Sequence, residues 1–206
     1  LIILFISSLY FFRSPSVKKL SSIIALFLIF IVFFSNIPDV KYRVIDAWEQ
    51  ISNYSNNDYY SSTGIRIKLW LSGIDIFRDG ILVGHSKSEV RFMIVKGIEG
   101  GVYPSFLGPF LNHPNPNFHN QFIQSLVDGG IIGFILVCLF LAAPLFSVAK
   151  SKIASMKLFA GSIILFTVIC LWFDSLFLYN QTIILYCSLT ILMYVIGTKE
   201  SLENEK

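Results

Sequence analysis

Charge is scarce in this 206-residue chain: Asp, Glu, Lys and Arg make up only 14% of it, against 54% hydrophobic residues, and the mean hydropathy is +0.68. That balance is too apolar for the surface of a water-soluble domain and marks an integral membrane protein. Cysteine is scarce too. Cys138, Cys170 and Cys187 all fall inside apolar stretches, which excludes a disulfide framework or a zinc-ligand spacing and makes them small core residues. The three histidines form no i, i+4 pair and have no acidic residue at ligand spacing, so neither a metal site nor a cofactor is expected. The net charge is only +3, and the basic residues lie in short clusters beside apolar runs or scattered along one polar segment, which argues against nucleic acid as a partner. The chain opens at Leu1, inside an apolar run with neither the basic start nor the cleavage site of a signal peptide. It reads as a fragment.

Long charge-free runs are what the sequence does have. A helix needs about 20 apolar residues to cross about 30 Å of hydrocarbon, and residues 20–38 and 129–149 both qualify. Between Leu158 and Thr198 the only charge is Asp174, and Tyr179, Asn180 and Gln181 mark a turn near the middle, so spans at 158–178 and 182–198 form a hairpin. Residues 1–12 supply part of a further span, and 199–206 a tail. The expected fold is an all-α integral membrane protein, a multi-span helical bundle with one large helical loop. Arg13, Lys18 and Lys19, then Lys150, Lys152 and Lys157, then Lys199 fall on one side if the span at 20–38 runs outward. By the positive-inside rule that side is cytoplasmic, which puts residues 39–128 outside and the C-terminus inside. The eight basic residues of the outer segment do not count against this, because it exceeds the limit of about 60 residues within which the rule works. Pro144 should kink its span, and Trp172 and Tyr179 flank Asp174 as interface anchors would. Asp174 itself reads as an interfacial or intra-bundle polar residue, with a functional carboxylate as the sharper alternative.

A loop this long is more than a connection needs, and its recurring apolar residues are not those of a disordered tail. Ser62-Thr63-Gly64 is a helix start, and from Ile65 to Phe77 two stripes appear: Ile65, Leu69, Ser72, Ile76 and Arg66, Trp70, Gly73, Phe77. Arg66 and Trp70 share a face one turn apart, an arrangement that can present a guanidinium to a phosphate; an amphipathic surface helix anchored by Trp70 has the same spacing. Asp79-Gly80 makes a turn. Further on, Asn115 is a good N-cap, Pro116 suits the first helical position, and Gly129-Gly130 ends the helix, which places His119 in its first turn. There the helix dipole disfavours imidazolium, leaving a neutral ring that can accept a proton. A loop histidine bonded to backbone is the bland alternative. His113, among prolines and asparagines, and His85 are weaker candidates. The run Asn53 to Tyr60 mixes amides with aromatic rings, a composition that suits sugars and ordinary loops equally.

At these residues the chain resembles a family. His119-Asn120, nine residues, then Gly130-Ile131-Ile132-Gly133 is similar to the histidine, Asn/Ser/Gln, nine-residue, Gly-x-x-Gly pattern of the O-antigen ligase and O-antigen polymerase superfamily, where the motif also closes a large periplasmic loop. Arg66-Ile67-Lys68-Leu69-Trp70 looks like the family's loop-opening arginine and tryptophan. Asp79 to Gly84 resembles its Pro-Leu-x-Gly-x-Gly turn, with the proline missing and His85-Ser86 in place of the last glycine. The resemblance covers roughly residues 20–198, the family's C-terminal portion. It implies a metal-independent glycosyltransferase of GT-C type in the bacterial inner membrane, acting on its periplasmic face. The donor would be a glycan on undecaprenyl pyrophosphate, and the acceptor either a lipid-linked repeat unit (polymerase, the reading favoured) or lipid A–core (ligase). A polysaccharide flippase or other transporter is the alternative of another class. A chain-length regulator or a flippase would be protein partners. Under this resemblance His119 takes the acceptor proton, Arg66 binds pyrophosphate, and Asn120 holds His119 or the acceptor. Trp70 belongs to the substrate site, and Arg91 and Lys68 are further phosphate contacts.

Overall fold

The computed structural model describes residues 36–55, 59–149, 151 and 154–203. Most of the span expected at 20–38, the run 1–12, the cluster Arg13, Lys18 and Lys19, and Lys150 and Lys152 lie outside the described residues. Among the described residues all regular structure is helical: α1 (Pro38–Ser55), α2 (Ser62–Asp79), α3 (Lys87–Glu99), α4 (Gly108–Leu111), α5 (Gln121–Ser147), α6 (Ala154–Phe173) and α7 (Asn180–Glu203), with 3-10 turns at Ser105–Leu107 and Leu176–Leu178. Three helical segments are long and apolar enough to cross a membrane, Gln121–Ser147, Met156–Phe173 and Asn180–Thr198. The protein is an all-helical membrane protein.

Local chemistry explains where the loop helices begin. The Ser61 hydroxyl caps α2 by accepting from the Gly64 amide at 3.0 Å, one residue before the expected start. Ser86 and Glu89 close a capping box on α3, and hydrogen bonds from the Ser86 side chain and backbone hold the Glu89 carboxyl below the usual carboxylate range. The Gln50 carbonyl ties α1 to the head of α2, accepting from the Thr63 hydroxyl at 2.7 Å and from its amide at 3.1 Å. The stripe Leu69, Ser72, Ile76 is buried, as its period requires. Leu69 and Ile76 pack with Val90, Ile94, Leu107, Leu111, Phe118 and Val127 into one core that joins α2, α3 and α4 to the start of α5. Each of these side chains contributes about 1.5–3 kcal/mol by leaving water. A second cluster, Leu141, Leu171 and Tyr186, and a third, Val148, Ala160 and Met193, hold α5 to α6 and α7.

The helix α5 is not straight. At Gly130 (φ 62°, ψ −157°) it breaks, and the chain doubles back: the Phe122 and Phe134 rings are 6.3 Å apart, and a Cβ on Gly133 would lie 3.0 Å from the Ser125 carbonyl oxygen. A continuous helix would separate those two pairs by ~18 and ~12 Å along its axis. The break frees two amides, which the turn after α2 accepts. Ile131 donates to the Ile81 carbonyl at 2.8 Å and Ile132 to that of Leu82 at 3.3 Å, while the His85 amide donates to the Val127 carbonyl at 2.8 Å. Two backbones therefore meet directly. A Cβ on Gly84 (φ +67°) would sit 2.5 Å from Gly129 N, and one on Gly130 would sit 2.4 Å from the Leu82 carbonyl. Both positions need glycine for its left-handed backbone as well as for space. The turn resembling Pro-Leu-x-Gly-x-Gly and the Gly-x-x-Gly run are thus the two halves of one joint.

The helix α6 stops at Phe173, short of the expected 178, because the Asp174 carboxylate turns back to accept the Ser175 amide at 2.8 Å and Ser175 adopts a non-helical conformation. Gly84→Ala and Gly130→Ala should each cost more than the ~1–3 kcal/mol of a strained backbone alone, since the added methyl meets main chain that cannot step aside. Thermal unfolding of the detergent-solubilised variants should show a clear loss of stability; unchanged melting would contradict the joint.

Candidate functional site

The site is built where the motif loop meets the turn between α6 and α7. Residues 112–120 are not helical, which corrects the expected helix start at Asn115 and Pro116. Two competing bonds explain the difference. The Asn115 side chain is drawn off as an acceptor for Lys87 Nζ at 3.1 Å, whereas Asn120 Oδ1 accepts from both the Phe122 amide (3.0 Å) and the Ile123 amide (3.1 Å) and so caps α5. His119 therefore precedes the cap instead of sitting in the first turn.

The His119 backbone is left-handed, φ 50°, alone among described non-glycine residues. Such a conformation persists only when its surroundings enforce it. Here the His119 amide donates to Asn117 Oδ1 at 2.8 Å, its carbonyl accepts from the Trp70 indole at 3.4 Å, and its ring stands edge-on to Phe110 at 5.9 Å. The neighbouring Phe118 is wholly buried, and its amide donates to Gln124 Oε1 at 3.2 Å.

These restraints aim the imidazole at Asp174. His119 Nδ1 lies 3.1 Å from Asp174 Oδ1, and the two side chains are 28% and 35% exposed, so the pair is part-buried. A carboxylate can only accept, so in this contact Nδ1 carries the hydrogen, and the neutral ring presents a bare lone pair at Nε2. Should Nε2 gain a proton, the same carboxylate stabilises the imidazolium. The tautomer is thus set by Asp174, not by a helix dipole, and Asp174 is a polar residue paired across 55 residues of sequence.

A buried polar seam fixes the pair. The Asn120 amide donates to Ser175 Oγ (3.2 Å), Asn120 Nδ2 donates to the Trp172 carbonyl (3.0 Å), and the Phe177 amide donates to Gln121 Oε1 (2.8 Å). Ser175 Oγ also reaches Gln124 Oε1 at 3.5 Å. Asn120, Gln121, Gln124 and Ser175 are all buried, and a satisfied buried network of this kind rigidifies what it joins.

The other candidates are distributed unequally. Arg66 lies half-buried one turn ahead of Trp70 on α2, and therefore on the face turned to His119. Lys68 lies on the other side of α2, where its ammonium sits 3.9 Å over the Tyr59 ring and 5.8 Å from that of Tyr54, a cation–π cradle distinct from the His119 contact. Burial and the neighbouring Tyr59 push the Tyr54 phenol up. Arg91 follows Lys87 by one turn on α3, and its Nε is buried with no hydrogen-bond partner among the described residues, a donor awaiting an acceptor. His85 donates through Nε2 to the Ile76 carbonyl at 3.1 Å, and His113 accepts from the Asn115 amide at 3.3 Å. Both are local structural ties. Sequence reasoning passed over Ser175, Gln121 and Gln124; the signal it had was a set of amides and a hydroxyl bordering apolar spans.

Residues 1–138, more than half of the chain, match the family model described as O-antigen ligase. The chain belongs to the O-antigen ligase family. No curated protein and no solved structure matches it. The matched stretch contains His119, Asn120 and the Gly130 to Gly133 run, while Asp174 lies beyond it. O-antigen ligase family proteins are glycosyltransferase-like membrane enzymes that take a lipid-linked glycan and an acceptor.

Asp174→Asn tests the pairing. An amide can donate to Nδ1, which would move the ring hydrogen to Nε2 and remove the acceptor lone pair. Turnover of lipid-linked glycan should fall by about 10²–10⁴ with membrane levels unchanged; wild-type turnover would refute the pairing as functional.

Proposed function

We propose that this O-antigen ligase family chain carries the catalytic loop of a glycosyltransferase that joins undecaprenyl-pyrophosphate-linked oligosaccharides. The observation that carries the reading is the contact between His119 Nδ1 and Asp174, which leaves Nε2 as a proton acceptor. In this mechanism an acceptor sugar hydroxyl gives its proton to His119 Nε2 as its oxygen attacks the donor's anomeric carbon. The bond from that carbon to the pyrophosphate oxygen breaks, and undecaprenyl pyrophosphate leaves with the electron pair. A sugar hydroxyl ionises far above neutral pH, so attack needs a base at hydrogen-bond distance. The departing pyrophosphate gathers negative charge, which Arg66 meets with its planar fork, with Arg91 as a further phosphate contact.

Trp70 and Asn120 act through His119 in this scheme. The indole holds its carbonyl, and the amide fixes the start of α5 to the α6–α7 turn. Lys68, held over two tyrosines, keeps the loop's shape and adds background charge. The enzyme is read as metal-independent and GT-C-like, in the bacterial inner membrane, with residues 39–128 periplasmic and the C-terminus cytoplasmic.

Repeat-unit polymerisation is the reaction proposed. Ligation to lipid A–core is the second reading, favoured by the description of the matching family as O-antigen ligase. Deletion of the gene followed by lipopolysaccharide gels separates them: core bearing a single repeat unit indicates a polymerase, and lipid-linked polymer accumulating without attached polysaccharide a ligase. A flippase defect would instead leave isolated membranes able to extend glycan when given lipid-linked units from outside. His119→Ala in the intact protein should abolish extension or transfer, a loss of about 10²–10⁴ or more, at normal membrane levels; near wild-type activity would reject the base. Arg66→Lys keeps the charge but loses the fork. It should slow donor turnover about tenfold to a hundredfold, and unchanged turnover would make Arg66 structural.

A further inference from the structure

Three consecutive large apolar residues, Ile81, Leu82 and Val83, are 49%, 67% and 71% exposed at the tip of the turn that follows α2. Left in water three adjacent side chains of this kind would form an unfavourable apolar patch. Part of their backbone is bonded within the protein. The Ile81 and Leu82 carbonyls accept the Ile131 and Ile132 amides, and the Gly84 amide donates to the Gly80 carbonyl at 2.8 Å. These bonds lower the cost of moving the two carbonyls into a low-dielectric surrounding.

The tip is also placed at the head of a membrane-capable helix. Ile131, Ile132, Ile135 and Leu136 are exposed on the limb of α5 that begins at the Gly130 break, so the triplet continues one apolar surface onto that limb. Aromatic rings connect this limb to the end of α6. Phe122 lies 5.9 Å from Trp172, an interface-type side chain at the end of α6, and 6.3 Å from Phe134. Phe134 is three residues, ~4.5 Å of helix, from Ile131. Ile131 is thus linked through Phe134 and Phe122 to Trp172, and its hydrogen bond to the Ile81 carbonyl ties the triplet to the same limb.

We propose that Ile81, Leu82 and Val83 form a membrane-inserting tip, which enters the acyl-chain boundary of the leaflet at which α5 begins and pins the functional loop to the bilayer surface. Its occupant is lipid. Because the tip is interlocked with α5 through Gly84 and Gly130, insertion fixes the height of α2, and with it Trp70 and Arg66, over the headgroup layer. The inference does not depend on which reaction the loop catalyses.

A nitroxide scan tests it. Leu82→Cys and Glu99→Cys are labelled separately in a background with Cys138, Cys170 and Cys187 replaced by serine, and the protein is placed in phosphatidylethanolamine–phosphatidylglycerol vesicles. At L82C, collisions with oxygen should exceed collisions with a water-soluble nickel chelate several-fold more than at the exposed E99C position. A nickel-dominated signal at L82C would mean a tip in water, and exclusion of both reagents would mean a tip covered by protein; either result overturns the proposal. Labels at I81C and V83C repeat the measurement should L82C fail to fold.

Discussion

One carboxylate fixes how the histidine of this loop is hydrogen-bonded. Asp174 closes α6, accepts the next amide, and holds the imidazole of His119 by the same oxygen. Without that acceptor the histidine would be a partly exposed ring with either nitrogen free to carry the hydrogen. With it, one tautomer is selected and Nε2 is left with a bare lone pair. The helices that end at this point, α5, α6 and α7, are anchored to each other in apolar surroundings, so the acceptor's position is fixed by packing deep in the bundle as well as by the polar seam above it.

The loop in turn is made rigid by close backbone approach. Glycine at positions 84 and 130 lets the turn after α2 hydrogen-bond directly to a broken helix, and Gly73 admits Ile123 and Phe118 against α2, where a Cβ would lie 2.5 Å from Ile123 Cγ2. Side chains excluded at these points are the reason that Trp70 can reach the His119 carbonyl. The strained φ of His119 is the local cost of aiming its ring at a partner on another helix. Core burial around Phe118 and the amide bond to Asn117 offset it.

Much of this was legible in the sequence, and what was not has a physical cause. Hydropathy alone identified a helical membrane protein, because charge-free runs of span length have few other uses. The α2 stripe and its serine start are local signals, as is the glycine break after Asp128, and these matched the structure closely. The helix start before His119 was misplaced because two asparagines compete as caps, and the winner depends on Lys87, a residue 28 positions from Asn115. Asp174 looked like an ordinary interface residue because nothing within its own span shows what lies across from it. The buried Nε of Arg91 and the tyrosine rings around Lys68 depend on neighbours in space that the sequence does not display.

The most direct test of the central claim is the ring state of His119, read by nitrogen NMR of the protein labelled with ¹⁵N-histidine in bilayers, with the signal assigned from its absence in a variant lacking that residue. In the neutral ring, Nδ1 should carry the hydrogen and Nε2 should be bare, and replacing Asp174 by asparagine should reverse the two. A hydrogen on Nε2 in the unaltered protein, or a ring indifferent to the residue at position 174, would contradict the account.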